Sequence, residues 1–262
     1  MGKELPGRVN VLGVGVHATN MKQAVRALIS RADEKGKGYV CVTGVHGVME
    51  SQSSEELREI HNRSLLTVPD GMPMVWVGKL RGQREMSRVY GPDLMLALCE
   101  ATRKTGHTHF FYGGKEGVAD ELKVEMERRF PGIQVAGTYC PPFRPLNASE
   151  LEALRSLCAA DFFWVGLSTP KQERFMAQQI DGLPVQVMLG VGAAFDLHTG
   201  RMVDAPDWMK QAGLQWFHRL CQEPRRLARR YLVNNPIFIA KIACQFLGLK
   251  HYTLHPMEQE TT

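Results

Sequence analysis

Short apolar segments alternate along this chain with longer segments in which apolar residues recur every three or four positions. The apolar segments are typical of strands buried on both faces, and the periodic segments are typical of helices. We predict strands at 39–43, 65–68, 109–112, 133–138, 162–166 and 185–189. We predict helices at 21–32, 54–62, 92–104, 117–130, 149–159 and 170–179. Segment 9–17 is expected to add an edge strand or a hairpin.

This alternation predicts an α/β fold with a Rossmann-like, largely parallel sheet and helices on both faces. The chain has 262 residues, of which 44% are hydrophobic and 23% charged, so it is long enough and apolar enough for one large core. Its character changes near Ala205, after which it is helical, basic and aromatic. We therefore predict an α/β core over 1–204 and a basic, amphipathic C-terminal appendage over 205–262.

The charge is concentrated in that appendage. Eight Lys and Arg residues and one acid lie between Trp208 and Lys250, which gives +7, whereas the whole chain carries +5. A solvated helix face is the usual meaning of such a run. Its arginines lie beside apolar residues, however, and this favours a diphosphate whose lipid tail sits in a membrane. No recognition-helix motif accompanies them, so nucleic acid is not an expected partner.

Cysteine spacing and the N-terminus exclude further classes. The six cysteines have neither CxxC nor CxxH spacing, which argues against a zinc site and a disulfide framework. No His, Asp or Glu cluster has metal-ligand spacing, so no metal is expected. The N-terminus lacks an apolar signal core, and no segment is long and apolar enough to span a bilayer. These features predict a cytoplasmic protein.

A carboxylate follows the apolar segment 65–68 almost directly, on the turn Pro69-Asp70-Gly71. Turns at the carboxyl ends of parallel strands are where α/β proteins bind ligands. Asp70 is therefore a candidate catalytic base, although an Asp in a turn often only accepts backbone hydrogen bonds. Thr43 ends the preceding predicted strand and is expected beside Asp70 at the same edge of the sheet.

Small-residue turns follow three other predicted strands. Glycines let a backbone approach a phosphate, and a helix N-terminus supplies N–H donors and a positive field. A plain tight turn explains any one of these turns equally well, but three together favour a nucleotide or a diphosphate. The candidate binding residues in them are Gly113, Gly114, Lys115, Gly166, Lys171, Gln172, Gly192 and Asp196.

Taken together, these motifs resemble the WecG/TagA/CpsF family of bacterial glycosyltransferases (glycosyltransferase family 26) over nearly the whole chain. Any one motif is a weak signal, but the series in family order is a strong one. The matching motifs are VPDG (68–71), RVYGPDL (88–94), FYGGK (111–115), VGLSTPKQE (165–173), GVGAAFD (190–196), APDWM (205–209), LQW (214–216) and QEPRRL (222–227).

The resemblance implies an inverting transfer of a sugar, without metal or cofactor, from a UDP-sugar to a sugar on a polyprenyl diphosphate. The enzyme would act as a peripheral protein on the inner face of the cell membrane. By this resemblance Asp70 is the base, Thr43 its polar neighbour, and Arg88 and Gln172 line the site. Three arginines of the appendage, Arg219, Arg226 and Arg229, match those that close over the pocket and touch the diphosphate.

One departure from the family bears on the sugar. Many members carry Asn two positions after the threonine, where this chain has Val45, followed by His46. The Gly-Val-His segment resembles exopolysaccharide members that add glucose, so a UDP-glucose donor is the first expectation. The alternative within the family is transfer of N-acetylmannosamine or N-acetylmannosaminuronic acid.

Other classes of protein stay open at this stage. A nucleotide-sugar epimerase or dehydrogenase is disfavoured, because a dinucleotide fingerprint and a Tyr-x-x-x-Lys pair are missing. A non-catalytic scaffold that docks on a membrane within a polysaccharide assembly complex also fits the basic appendage. The aromatic residues of the tail suit either lipid or a second subunit, so a homo-oligomer stays open.

Overall fold

The computed structural model describes residues 5–254, and within them six parallel strands form one sheet in the order β4-β3-β8-β7-β5-β6. These strands are β3 (Gly38–Thr43), β4 (Leu66–Pro69), β5 (Thr108–Gly113), β6 (Gln134–Tyr139), β7 (Ala160–Gly166) and β8 (Val185–Gly190). Each strand predicted for this sheet is confirmed, and its ends lie within two residues of the predicted ends. A separate antiparallel hairpin of β1 (Arg8–Val11) and β2 (Val14–His17) confirms the one expected over 9–17.

Helices cover both faces of the sheet. The six predicted ones are confirmed as α1 (Met21–Asp33), α3 (Glu55–Arg63), α5 (Gly91–Thr102), α6 (Val118–Arg129), α7 (Ala148–Leu157) and α8 (Lys171–Gln179). Alternate strand residues point to opposite faces. Thus Phe111 and Trp164 pack in the cluster with α1, α5 and α6, while Phe110 and Phe163 pack in the cluster with α3, α7 and α8.

Three short helices inside the core were not predicted. They are α2 (Val45–Ser53), α4 (Met72–Leu80) and α9 (Ala194–His198). The sequence MPMVWVGKL of α4 is apolar on nearly every side and therefore shows little helical periodicity. Each of these helices starts within four residues of the carboxyl end of a strand.

The segment predicted as the appendage, 205–262, contains α10 (Asp207–Gln211), α11 (Gln215–Gln222) and the long α12 (Pro224–Phe246). Phe238 of α12 is 4% exposed and packs with residues of the hairpin and α4. The side chain of Gln245 accepts a hydrogen bond from the backbone N–H of Leu12 at 3.2 Å. These contacts hold α12 over one end of the sheet. Residues 1–4 and 255–262 of the two predicted domains lie outside the described part of the chain.

Within residues 5–254, no helix combines the length and the apolar composition needed to cross a membrane.

Candidate active site

The carboxyl ends of β3 and β4 bring Thr43 and Asp70 together. Thr43 is paired in register with Pro69, and the backbone N–H of Asp70 donates to the carbonyl of Thr43 at 2.9 Å. The sequence predicts both residues at one edge of the sheet, and this is where the structure has them. Thr43 is buried at 2% exposure, and Asp70 is half-buried.

Two glycines make this arrangement possible. Gly71 has a φ of +97°, which a residue with a side chain rarely adopts. A Cβ atom on Gly44 would lie 2.7 Å from the carbonyl oxygen of Asp70. The loops after β3 and β4 can therefore pass this close together only because Gly44 has no side chain.

A cavity of about 700 Å³ lies above this edge, enclosed on its far side by α11 and α12. Of the residues predicted to carry the site, it is lined by Thr43, Asp70, Arg88, Gly166, Gln172, Gly192, Asp196, Arg219 and Arg226. The cavity is therefore shared between the core and the appendage.

Several of the helices that the structure describes begin at this cavity without a side-chain cap. Helices α2, α4 and α8 start there at Gly44, Gly71 and Pro170, and within residues 5–254 none of the three has a side-chain hydrogen bond at its cap. In contrast, α1, α3 and α7 start away from the cavity and are capped by Asn or Ser side chains. Uncapped helix N-termini carry partial positive charge and donors, so they suit an anionic ligand.

Asp70 lies close to cationic groups. Its Oδ1 is 3.9 Å from Nη2 of Arg88, whose guanidinium stacks 4.2 Å from the centre of the Tyr90 ring and bonds to Gln215 of α11. Burial raises the pKa of the Asp70 carboxyl above its ordinary value, and the positive charges of Arg88 and Arg219 act in the opposite direction. Asp70 is thus a carboxylate with raised basicity that still has a cationic partner.

Three arginines of the appendage line the cavity, Arg219 from α11 and Arg226 and Arg230 from α12. Arg226 pairs with Glu223, whereas Nε of Arg219 and Nε of Arg230 are buried with no hydrogen-bond partner among the described residues. Burial lowers the pKa of Arg230, as do the charges of Arg219 and Arg226. Arg219 and Arg230 are half-buried, and positive charge that is partly removed from water is stabilised by an anion. The cluster therefore fits a phosphate or diphosphate.

Gln172 and Glu173, both on α8, form part of the cavity wall. Oε1 of Gln172 accepts from the backbone N–H of Gly192 at 3.1 Å, and its Nε2 donates to Glu173 at 3.0 Å. Both side chains are almost fully buried, at 3% and 1% exposure. These bonds fix the orientation of the Gln172 amide.

His46 also lines the cavity, one residue into α2. Burial and the charge of Arg230 lower its pKa to about 3, against the opposing effect of the Thr169 backbone. The imidazole is therefore neutral at physiological pH and can donate or accept a hydrogen bond. The neighbouring Val45, which departs from the family pattern, lines the cavity too.

Five of the predicted binding residues lie outside the cavity. The glycines of the turn after β5 allow close contact with the end of β7. The N–H of Gly114 donates to the carbonyl of Gly166 at 3.1 Å, and a Cβ on Gly113 would lie 2.6 Å from that same oxygen. The exposed Lys171 holds its Nζ 4.2 Å from the centre of the Phe143 ring. The remaining two, Lys115 and Arg229, are exposed to solvent.

The cavity also has lining residues that were not among the predicted site residues, and these include His46, Glu173 and Arg230. A signal for Arg230 was present, since residues four apart share a helix face and Arg230 follows Arg226 by four. No comparable signal marked Glu173, whose burial depends on the tertiary fold. In the described part of the chain, no group of three or more His, Cys, Asp or Glu residues is placed to hold a metal ion.

The chain matches the family described as the Glycosyl transferase WecG/TagA/CpsF family over residues 9–252. The chain therefore belongs to this family, which confirms the resemblance of its motifs.

Two relatives share one name, N-acetylglucosaminyldiphosphoundecaprenol N-acetyl-beta-D-mannosaminyltransferase. The one from Bacillus subtilis (strain 168) is 30% identical over 174 residues, which cover 65% of this chain and 66%, or just under two thirds, of the relative. The one from Bacillus spizizenii (strain ATCC 23059 / NRRL B-14472 / W23) is 29% identical over 210 residues, or 80% of each chain.

The raised pKa of Asp70 predicts an effect on stability. Because the folded state binds the Asp70 proton more tightly than the unfolded state does, ionised Asp70 destabilises the fold at neutral pH. We expect Asp70→Asn to unfold at the same temperature as the wild type or higher at pH 7. Any gain should shrink as the pH falls through the raised pKa of folded Asp70, and it should vanish below the ordinary aspartate pKa. Thermal unfolding followed by circular dichroism across pH measures it.

Asp161→Asn is the matched control, and its expected effect on stability is opposite to that of Asp70→Asn. Burial raises its pKa, but hydrogen bonds from Thr108 and Lys35 outweigh burial and hold the pKa below its ordinary value. Ionised Asp161 thus stabilises the fold above the ordinary aspartate pKa, and Asp161→Asn should lower the unfolding temperature at pH 7. A clear loss of stability in Asp70→Asn at pH 7 would contradict this account of Asp70.

Proposed function

We propose that this protein transfers N-acetylmannosamine, with inversion, from its UDP-linked form to N-acetylglucosamine on a polyprenyl diphosphate. The observation that carries the proposal is that Asp70 faces a cavity whose other walls hold arginines and uncapped helix N-termini. Both relatives are named for transfer of N-acetylmannosamine, so they favour this sugar over the glucose first expected from Val45 and His46.

In the proposed reaction, Asp70 accepts a hydrogen bond from a hydroxyl of the acceptor sugar. As that hydroxyl oxygen attacks the anomeric carbon, its proton passes to the Asp70 carboxylate. The bond between the anomeric carbon and the phosphate oxygen breaks on the opposite side, and UDP leaves with the electron pair. The attack from the opposite side inverts the anomeric centre, and Asp70 then returns its proton to solvent.

The proposal needs groups that stabilise the departing diphosphate. Positive charge in a partly enclosed site stabilises developing negative charge without reorganisation. The uncapped N-terminus of α2 and the guanidinium group of Arg219 supply this charge. The raised pKa of Asp70 moves its basicity toward the working pH, which favours general-base catalysis.

We also propose that the appendage rests on the inner face of the cell membrane. The solvent side of α12 combines exposed apolar residues, Leu232 and Val233, with the exposed Arg225 and Arg229. A helix of this kind binds anionic lipid surfaces through the burial of its apolar side chains and through the attraction of its arginines to the lipid head groups. This position suits an acceptor whose lipid is held in the bilayer.

Asp70→Asn tests the catalytic role. The variant should lower kcat by about 10²–10⁴-fold, the usual contribution of a positioned base, with little change in KM for the donor. Release of UDP is measured from UDP-N-acetylmannosamine and from UDP-glucose, with a short-chain lipid-diphosphate N-acetylglucosamine as acceptor. Asp181→Asn is the control, because this exposed carboxylate lies outside the cavity.

Three outcomes would overturn parts of this proposal. Wild-type turnover in Asp70→Asn would remove Asp70 from the role of base. A preference for UDP-glucose would restore the first expectation for the sugar. Absence of UDP release with any donor would instead favour the scaffold interpretation.

The adjacent arginines of α12 give a paired test. Arg230→Gln should raise KM for the lipid-diphosphate acceptor by about 10- to 100-fold, since a hydrogen bond to a charged group contributes about 1.5–3 kcal/mol. Arg229→Gln should change it less than about twofold, because Arg229 is exposed outside the cavity. Steady-state kinetics with the short-chain acceptor measures both. Equal effects would show that the cavity is not the diphosphate site.

Membrane docking is tested with vesicles that contain anionic lipid. The double variant Arg225→Gln and Arg229→Gln should bind about 30-fold more weakly, because each surface arginine contributes about 1 kcal/mol. Binding of the wild type should also weaken as salt is raised. Neutral vesicles are the control, and equal binding to neutral and anionic vesicles would contradict the electrostatic part of this proposal.

A further inference from the structure

One row of residues on α12 changes in character along the cavity. Every fourth residue of the helix lines it, in the order Arg226, Arg230, Asn234, Phe238 and Ile242. The row begins with two cations, passes through an amide and ends with two apolar side chains. Arg226 and Ile242 are 16 positions apart, which corresponds to about 24 Å along the helix at about 1.5 Å per residue. The cavity is therefore cationic at one end and apolar at the other.

The apolar end opens to solvent between α12 and α4. Trp76 and Leu80 of α4 and Ile239 of α12 all line the cavity. They are nevertheless 48%, 73% and 66% exposed. Single exposed apolar residues need no explanation. Three large ones that share the mouth of a cavity, with an arginine cluster inside it, indicate a site for an amphiphile.

We propose that this opening, the α4–α12 exit, holds the first isoprene units of the polyprenyl diphosphate acceptor. The inference rests on the proposed function and identifies which surface takes the lipid chain. The diphosphate lies against Arg230, and the chain leaves past Phe238 and Ile239, nine residues or about 14 Å further along α12. The order of charges along the row matches the order of groups in the lipid.

The α4–α12 exit lies on the same helix as the apolar residues that we propose for membrane contact. The exposed Leu232 and Val233 lie on the same helix outside the cavity. A chain that leaves past Ile239 therefore emerges beside the apolar surface that we propose for membrane contact. The lipid then need not leave the bilayer entirely for its head group to reach Asp70.

Binding of farnesyl diphosphate and of inorganic diphosphate tests this inference without any turnover. Isothermal titration calorimetry is carried out on the full chain, below the critical micelle concentration of the lipid. We expect farnesyl diphosphate to bind at least tenfold more tightly than inorganic diphosphate, because its chain is removed from water in the exit. Arg230→Gln should weaken the binding of both.

Variants at exposed positions separate the exit from the general surface. Ile239→Asp and Leu80→Asp should each weaken farnesyl diphosphate at least tenfold and leave inorganic diphosphate unchanged. Val233→Asp is the matched control, since Val233 is 46% exposed on α12 but does not line the cavity, and it should change neither. Circular dichroism confirms that each variant is folded.

Two results would overturn the proposal: equal affinity for the two ligands, or equal loss in Val233→Asp and Ile239→Asp. The second result would show adsorption of the lipid on the surface of α12. Failure of the transferase is a separate outcome, because these measurements contain no donor. Tight, exit-dependent binding of farnesyl diphosphate without sugar transfer would retain the α4–α12 exit and reject the proposed reaction.

Discussion

The site depends on the balance between the burial of Asp70 and the arginines around it. Burial alone would favour the neutral acid, and a neutral acid cannot accept a proton from a substrate. Arg88, Arg219 and Arg230 favour the ionised form, and the net result is a raised pKa. Two of these arginines belong to the appendage, so the basicity of Asp70 depends on parts of the chain about 150 residues apart.

This dependence explains why the cavity is divided between two parts of the chain. The parallel sheet supplies Asp70, Thr43 and the helix N-termini, all at its carboxyl edge, as expected for ligand sites in α/β folds. The appendage supplies most of the positive charge and one apolar wall. Its attachment through Phe238 and Gln245 to the N-terminal hairpin keeps these groups over the sheet edge. In the proposed mechanism, both parts must be in place before a diphosphate is fully surrounded.

Local patterns predicted most of the fold and the centre of the site. Strands buried on both faces and amphipathic helices gave strong signals, and Asp70 and Thr43 followed from the rule that parallel strands end at one edge. Helices α2 and α4 were missed because they are buried on several sides and show little periodicity. Which of the adjacent Arg229 and Arg230 lines the cavity depends on how α12 is rotated about its axis. The burial of Phe238 in the core fixes that rotation.

Other parts of the site were not encoded locally. The glycine-rich turn at Gly113 and Gly114 has the composition of a phosphate loop, but its glycines allow close contact with Gly166. The same local sequence serves either purpose, so only the tertiary arrangement separates them. The transferred sugar is harder still, because members of one family share the fold and the motifs, and neither specifies the sugar. The names of the relatives, not the motifs, turned the proposal from glucose to N-acetylmannosamine.

The dependence of kcat/KM on pH, measured for the wild type and for Arg88→Gln, tests the central claim most directly. A base must be ionised to act, so activity is lost as the pH falls through its pKa. Burial of Asp70 predicts an acid limb above the ordinary aspartate range, and removal of the Arg88 charge predicts a limb at still higher pH. An acid limb in the ordinary range, or one that does not move in Arg88→Gln, would contradict the account.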